Sequence, residues 1–329
     1  MSDSLSQLVP FRLEPWYSPR PWGFCDLRPW FDLVSHNEPI GEAWLTGDEC
    51  IVATGPHRGE KLGALFAAQR DLLVGAVAPG EGSPLLIKVI FAREKLSVQV
   101  HPDDKMARKY GQLRGKTECW YALAAEPGAQ LALGLKPGVT LAQVEDGIHN
   151  GTLEASLRTL QVRQGDLIYV DAGTVHAIWP GSILLETQQN SDVTYRMYDY
   201  GRPRELHIEK SLEATRLTTG AGKIAPRELG DRTLLIDADY FRIERVPIGA
   251  GKSSETLRGG TKNPGLAYLF AVSGTGRLRG SGFEPVDLPA CGVIAVPATS
   301  PEFMLEGSGD AGSDFEIIRI TPKWPGKAG

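Results

Sequence analysis

Three short runs set side chains with metal-binding and acid–base chemistry on strands. In LSVQVHP, strict alternation puts Leu96, Val98 and Val100 on one face and Ser97, Gln99 and His101 on the other. Pro102 stops the strand just beyond the histidine. On a surface strand that polar face would be wet. Inside a barrel it would face the cavity, where Gln99 and His101 could share one metal. In GKTECWYAL, Lys116, Glu118 and Trp120 share a face opposite Thr117, Cys119 and Tyr121. The Lys–Glu pair is either a solvated ion pair or, in a cavity, a ligating carboxylate beside an ammonium for acid–base work or anion binding. The run GDLIYVDAGTVH (165–176) reads as turn, strand, turn, and then His176 opening the next strand. A lone histidine there would be structural. In company with Gln99, His101 and Glu118 it makes a set of two imidazoles, one carboxylate and one amide oxygen. Such a set suits a catalytic Zn²⁺ with an open position. More oxygen ligands or octahedral preference would favour another divalent ion.

Two cations join this list. Lys88 lies within the apolar run LLIKVI, where an ammonium is costly unless a partner or an aqueous cavity receives it. It either snorkels from a strand end or faces a phosphate or hydroxyl in a cavity. Arg196 lies in VTYRMYDY, sharing an alternating face with Tyr198 and opposing Tyr195 and Met197. Its planar guanidinium suits a phosphate or an enediolate oxygen; an exposed arginine on an edge strand is the plainer alternative. The strand follows SILLETQQNSD, so a hairpin is expected to bring Arg196 back across the site.

The elements that must position these groups are mostly short strands. Strand-like runs cover 85–92, 96–101, 118–124 and 129–134, and strands return from Gly165 onward. An amphipathic helix is expected over 60–76 and a short one over 103–110. Thr140 and Thr152 are N-cap candidates for a helical pair, 140–147 and 152–160. Residues 1–60, rich in Trp and Pro, read as irregular and short-strand structure. After about residue 217 the chain becomes β-rich runs separated by Gly, Pro, Ser and Asp. The expected division is a catalytic unit at 1–217, a linker at 218–229 and a smaller β unit at 230–329. That last stretch has no histidine, so a second imidazole metal site cannot be built there.

Composition excludes several classes. Lys+Arg 35 against Asp+Glu 40 gives a net charge of −5, which argues against a nucleic-acid binder. Apolar runs stay short of the ~20 residues that a bilayer requires, and the start lacks a basic region followed by an apolar core, so no membrane or signal segment is expected. Four scattered cysteines without a CxxC read as reduced thiols of a cytoplasmic protein. The run IGAGKSS (248–254) has Val246 where a phosphate loop needs glycine.

Taken together, Gly165, Asp171, Gly173 and His176 resemble the second cupin motif, with Asp171 at a position usually held by Pro. LSVQVHPDD, GKTECWY and ETQQNSDVTYRMYDYGR…RELHIEKSLE are similar to type I mannose-6-phosphate isomerases of the short bacterial kind, over most of residues 20–215. The resemblance implies a mainly β fold of two cupin-like jelly-roll barrels, with a few short helices in and around the first. It implies interconversion of mannose 6-phosphate and fructose 6-phosphate through a cis-enediol. The family's zinc ligands, one ion per chain, fall on Gln99, His101, Glu118 and His176. Its catalytic arginine falls on Arg196, and its active-site lysines on Lys88 and Lys116. Lys116 is the first candidate for the proton-moving base, with Asp192 the second; Lys88 and Ser97 are placed with the substrate. Phe24 departs from a Trp-Gly-Gly common in the family. The partner is then a small sugar phosphate, and the enzyme a monomer or homodimer. Another cupin sugar-phosphate isomerase or epimerase, or a non-catalytic sugar-binding cupin, is the alternative.

Overall fold

The computed structural model describes residues 7–76, 78–248, 265–308 and 315–325; most of the IGAGKSS run lies outside them. The described chain is mainly β, with four sheets of seven, five, eight and three strands. Four short helices accompany them: α1 (Leu62–Val74), α2 (Asp104–Lys109), α3 (Leu141–His149) and α4 (Ile208–Ala214). Among the described residues, no helix is long and apolar enough to cross a membrane.

Period-two alternation explains the layering. In the strand Leu85–Ala92 every residue is buried. Its odd-numbered side chains, Leu85, Ile87, Val89 and Phe91, enter one core, whereas Ile90 and Ala92 enter another. The seven-stranded sheet is therefore apolar on both faces, as a sheet covered on both sides must be. Its inner face packs through Ile90, Trp120, Ile168 and Leu184 against Leu131, Leu133 and Ile178 of the five-stranded sheet. Its outer face packs through Ile87, Val89, Tyr121 and Leu185 against Phe241, Tyr268, Phe270 and Ile318 of the eight-stranded sheet. Each fully buried Leu, Ile or Phe contributes roughly 1.5–3 kcal/mol, so this second contact binds the two β units through an apolar core. The far face of the five-stranded sheet is covered by α3 and α4, through Val144, Ile148 and Ala214.

Several local expectations change. Residues 152–160 do not form a helix: Leu153–Ser156 is one 3-10 turn, and Leu157–Gln161 is a strand. That strand pairs with Gln130–Leu135, whose edge it covers, and tertiary pairing overrides local helical pattern here. Thr152 makes no cap bond. Thr140 does cap α3, in a reciprocal box with Gln143. The stretch read as a linker forms two edge strands. Gly222–Ile224 pairs with Leu167–Tyr169 of the seven-stranded sheet, and Arg227–Glu228 pairs with Thr233 and Leu234 of the eight-stranded one. From the irregular-looking N-terminus, Phe11–Glu14 pairs with Val293–Ala295, at the other end of the chain. Leu96 lies inside the first sheet pair and not with Val98 and Val100, because the strand begins only at Val98.

Candidate metal centre and active site

Register assembles the site as two rows of side chains facing each other. In the seven-stranded sheet, adjacent strands align Trp44, Lys88, Glu186, Trp120 and Ile168. In the five-stranded sheet, the facing row is Arg196, Gln99, His176 and Leu133. His101 lies two residues beyond Gln99, and Glu118 two before Trp120, so both keep the inward face.

Ligand atoms of His101, Glu118 and His176 lie within 4.8 Å of one another, all buried. His101 Nδ1 donates to the Val193 carbonyl at 2.8 Å, and His176 Nδ1 to the Thr174 carbonyl at 2.9 Å. A carbonyl only accepts, so both rings carry their proton on Nδ1 and turn an Nε2 lone pair inward. Those nitrogens lie 3.6 and 3.4 Å from the Glu118 carboxylate. Lys116 Nζ stands 3.0 Å from Glu118 Oε2, while Oε1 is buried without a hydrogen-bond donor. Gln99 completes the ring, its amide nitrogen 3.2 Å from His176 Nε2 and its oxygen 3.3 Å from Ser97 Oγ. Burial, with Glu186 nearby, pushes the Glu118 carboxyl up to about 7. Burial drives His176 down to about 4, and His101 well below its ordinary value. Lys116 Nζ lies 3.2 Å from His101 Nε2, so the ammonium and the Gln99 amide face the inward lone pairs that a divalent ion would take. The donor set fits a divalent ion.

Beyond the cage opens a cleft of about 440 Å³. Ser97, Gln99, Lys88, Lys116, Asp192 and Arg196 all line it, so every predicted site residue not in the cage itself reaches the same space. Lys88 does not snorkel. Its Nζ lies 3.1 Å from Glu186 and 3.6 Å from Glu42, with only 5% of the side chain exposed. Burial opposes its charge, but the two carboxylates outweigh burial and hold the ammonium above its usual range. Against its own burial, Glu42 is held at about 2 by Lys88, helped by Arg20 and the Trp44 indole. Asp192 stands exposed at the rim.

Arg196 reaches the cleft by a different route from the one expected. Ser182–Gln189 belongs to the seven-stranded sheet and Tyr195–Tyr198 to the five-stranded one. Residues 190–194 thus cross between sheets and form no hairpin. A bulge after Arg196 also turns Tyr198 toward the outer core with Tyr195 and Met197, so Tyr198 does not share the arginine's face. One terminal nitrogen of Arg196 donates to the Glu205 carbonyl at 2.8 Å, while its Nε is buried without an acceptor.

Several cleft residues escaped the sequence reading. Glu186 accepts from the Trp120 indole at 2.9 Å, Glu42 from Trp44 at 2.8 Å, and Arg20 and Arg204 flank the Trp22 ring. Glu186 had a usable signal, since a lone acid on the inward face of SILLETQQ demands a buried partner as Lys88 does. Arg20 and Arg204 had none: Arg20 sits in the strand Trp16–Phe24, whose register shifts break the alternation, and Arg204 in an irregular segment.

A model of the phosphomannose isomerase type I catalytic domain matches residues 11–138. A probable mannose-6-phosphate isomerase of Bacillus subtilis, GmuF, is 32% identical, over 91% of this chain and 96% of that one. The solved mannose 6-phosphate isomerase of Bacillus subtilis is 29% identical with a TM-score of 0.82, covering 95% of this chain and 99% of its own. A mannose 6-phosphate isomerase solved with zinc and yttrium shares the fold at 16% identity and a TM-score of 0.73, covering 96% of this chain and all of its own.

Proposed function

This chain belongs to the type I phosphomannose isomerase family, and on that premise we propose how its own residues carry out the isomerisation. It is an aldose–ketose isomerase that interconverts mannose 6-phosphate and fructose 6-phosphate. The observation that carries the reading is the buried group His101, Glu118 and His176, whose carboxylate faces two imidazole nitrogens on the wall of a cation-lined cleft.

We assign one zinc ion per chain to His101, Glu118 and His176, joined by Gln99 through its amide oxygen once the carboxamide turns over to face the cage. When bound, the ion supplies fixed positive charge for the sugar's carbonyl and for the oxyanion that develops from it. The remaining steps belong to the protein. Lys116 lines the cleft beside the cage and, as the neutral amine, takes the proton from one of C2 and C1 and, as the ammonium so formed, returns it to the other; Asp192, wetted at the rim, is the second candidate. A positioned acid–base group of this kind contributes typically 10²–10⁴-fold. Arg196 holds the cis-enediolate with its planar fork. Lys88, already neutralised by two glutamates, binds a hydroxyl and not the phosphate, and Ser97 contacts the sugar from the opposite wall. Arg20 and Arg204, at the mouth over Trp22, are part-exposed and draw the phosphate with the N–H groups that their pairs with Glu42 and Asp199 leave over. Five lining cations against Glu42, Glu186 and Asp192 suit a dianionic ester.

We read the two sheet pairs as two cupin-like jelly-roll barrels that divide between residues 224 and 227. The second borrows its strands Phe11–Glu14 and Ile51–Val52 from the N-terminal part of the chain. Four free cysteines fit a cytoplasmic enzyme, which we take as a monomer or homodimer. A coupled assay of mannose 6-phosphate turnover, with and without chelator, tests the function. Turnover abolished by chelator and restored by zinc is expected; full activity in protein shown by elemental analysis to be metal-free would end the assignment.

A further inference from the structure

A chain of hydrogen bonds runs from the C-terminal β unit to the backbone on both sides of Lys116. Asp104, in the first turn of α2, accepts on Oδ1 from the Gly115 amide at 2.8 Å and from Gln189 Nε2 at 3.0 Å. Gln189 Oε1 in turn accepts from the Thr117 amide at 2.9 Å. The two amides that flank Lys116 are therefore fixed by one carboxylate and one carboxamide. The Lys116 amide itself donates to the Pro102 carbonyl at 3.0 Å. The other oxygen, Asp104 Oδ2, accepts from the hydroxyl of Tyr240 at 3.0 Å. Tyr240 stands in the turn between Thr233–Asp237 and Phe241–Ile248 of the eight-stranded sheet, 136 residues away.

Nothing cushions this connection. A Cβ at Gly115 would come within 2.6 Å of the Pro102 carbonyl and 2.7 Å of the Asp104 amide, so the backbone at 115 rests directly on the turn that carries Asp104. A displacement of the Asp104 backbone thus passes directly to residue 115, next to Lys116. Burial works against the Asp104 charge, but the Gly115, Gln189 and Tyr240 donors outweigh it and keep the carboxyl below its usual range. It therefore stays a charged acceptor, with hydrogen bonds roughly twice as strong as neutral ones.

We infer that Tyr240 is a positioning residue for Lys116, acting from the second β unit through Asp104 and Gln189. The inference rests on the reading of Lys116 as the proton-moving group, and it gives the C-terminal unit a part in the reaction beyond covering a sheet. A misplacement of about 1 Å in an acid–base group can cost up to 10²-fold in rate; losing one bond of this relay should cost less.

The test uses the full-length, zinc-loaded enzyme. Tyr240→Phe, which removes only the hydroxyl, is expected to lower kcat about three- to tenfold, with KM for mannose 6-phosphate and metal content unchanged. Asp104→Asn should lower kcat further, and adding Tyr240→Phe to it should cost nothing more, since both act through one carboxylate. Lys116→Met should lower kcat on the order of 10²-fold or more, and in that background Tyr240→Phe should have no effect on the residual rate. Wild-type kcat in Tyr240→Phe beside a crippled Lys116→Met overturns the inference alone. So does an equal proportional loss in both backgrounds, which is what a merely structural role predicts. Wild-type kcat in Lys116→Met removes the underlying reading, and the inference with it.

Discussion

Replacing Lys88 with methionine isolates what the buried charge cluster is worth. The ammonium lies 3.1 Å from Glu186 and 3.6 Å from Glu42, with all three side chains at most 7% exposed. Methionine fills much the same volume, so the packing loss is small. The consequences for the two acids differ. Glu42 keeps Arg20 at 3.3 Å and the Trp44 indole at 2.8 Å. Glu186 keeps the Trp120 indole on one oxygen, but for the other only Lys116 at 3.7 Å remains. Removing one partner of a buried pair costs about 3–5 kcal/mol. The loss has a ceiling, however, because Glu186 can escape by taking a proton. From its ordinary value of 4.5, that escape costs about 1.4 kcal/mol for each pH unit above 4.5, or about 3.4 kcal/mol at pH 7 and about 1.4 kcal/mol at pH 5.5. The sign follows from the wild type. There, burial opposes the Glu186 charge and is outweighed by Lys88 and Lys116, so the carboxyl sits below its ordinary value. The stability this gives is present above pH 4.5 and is lost as pH falls through the depressed value. In Lys88→Met burial is no longer offset by that ammonium and raises the Glu186 carboxyl, so the variant takes a proton as pH falls toward 5.5 and its deficit shrinks while the wild type is unchanged. Urea unfolding of metal-stripped protein should therefore show a loss of about 3 kcal/mol at pH 7 and less than half of that at pH 5.5. The double variant Lys88→Met/Glu186→Gln should recover to within about 1 kcal/mol of wild type, since an apolar or neutral replacement of a whole ion pair is often nearly free. A deficit below 1 kcal/mol at pH 7, a deficit independent of pH, or simple addition of the two single losses would refute the reasoning.

Other outcomes follow from the same geometry. Arg196→Ala should lower kcat and kcat/KM together, on the order of 10²–10³-fold, as loss of one oxyanion donor does; Arg196→Lys should recover little, and a normal kcat with a raised KM would move Arg196 to phosphate binding. Glu118→Gln should strip the metal as well as the activity, and elemental analysis that still finds about one zinc per chain would remove Glu118 from the ligand set. Phe91, 1% exposed and packed edge-on against Phe31, lies in the core between the two β units. Its replacement by alanine should cost about 3–5 kcal/mol in denaturant unfolding, and a loss under 1 kcal/mol would show that the core closes around the gap.

The sequence by itself determined which side chains share a face. Strand alternation is a local property with a period of two residues, so it holds whatever the strand later pairs with. It sets Gln99 with His101, Lys116 with Glu118, and Ile87 and Val89 opposite Lys88, all as found. The same locality explains the failures. A helical spacing of apolar residues over 152–160 yields to an open strand edge at Gln130–Leu135, because pairing satisfies that backbone and the local pattern does not. The bulge after Arg196 breaks the alternation that would have put Tyr198 in the cleft. Only the tertiary structure decided what neutralises Lys88: Glu42 and Glu186 come from strands 46 and 98 residues away in the chain, joined by sheet register. The grouped side chains of His101, Glu118 and His176 come from three separate strand segments, and Tyr240 reaches Asp104 across 136 residues. Alternation gives each strand its inward residues; the energy of sheet pairing and of the two cores selects which inward residues meet.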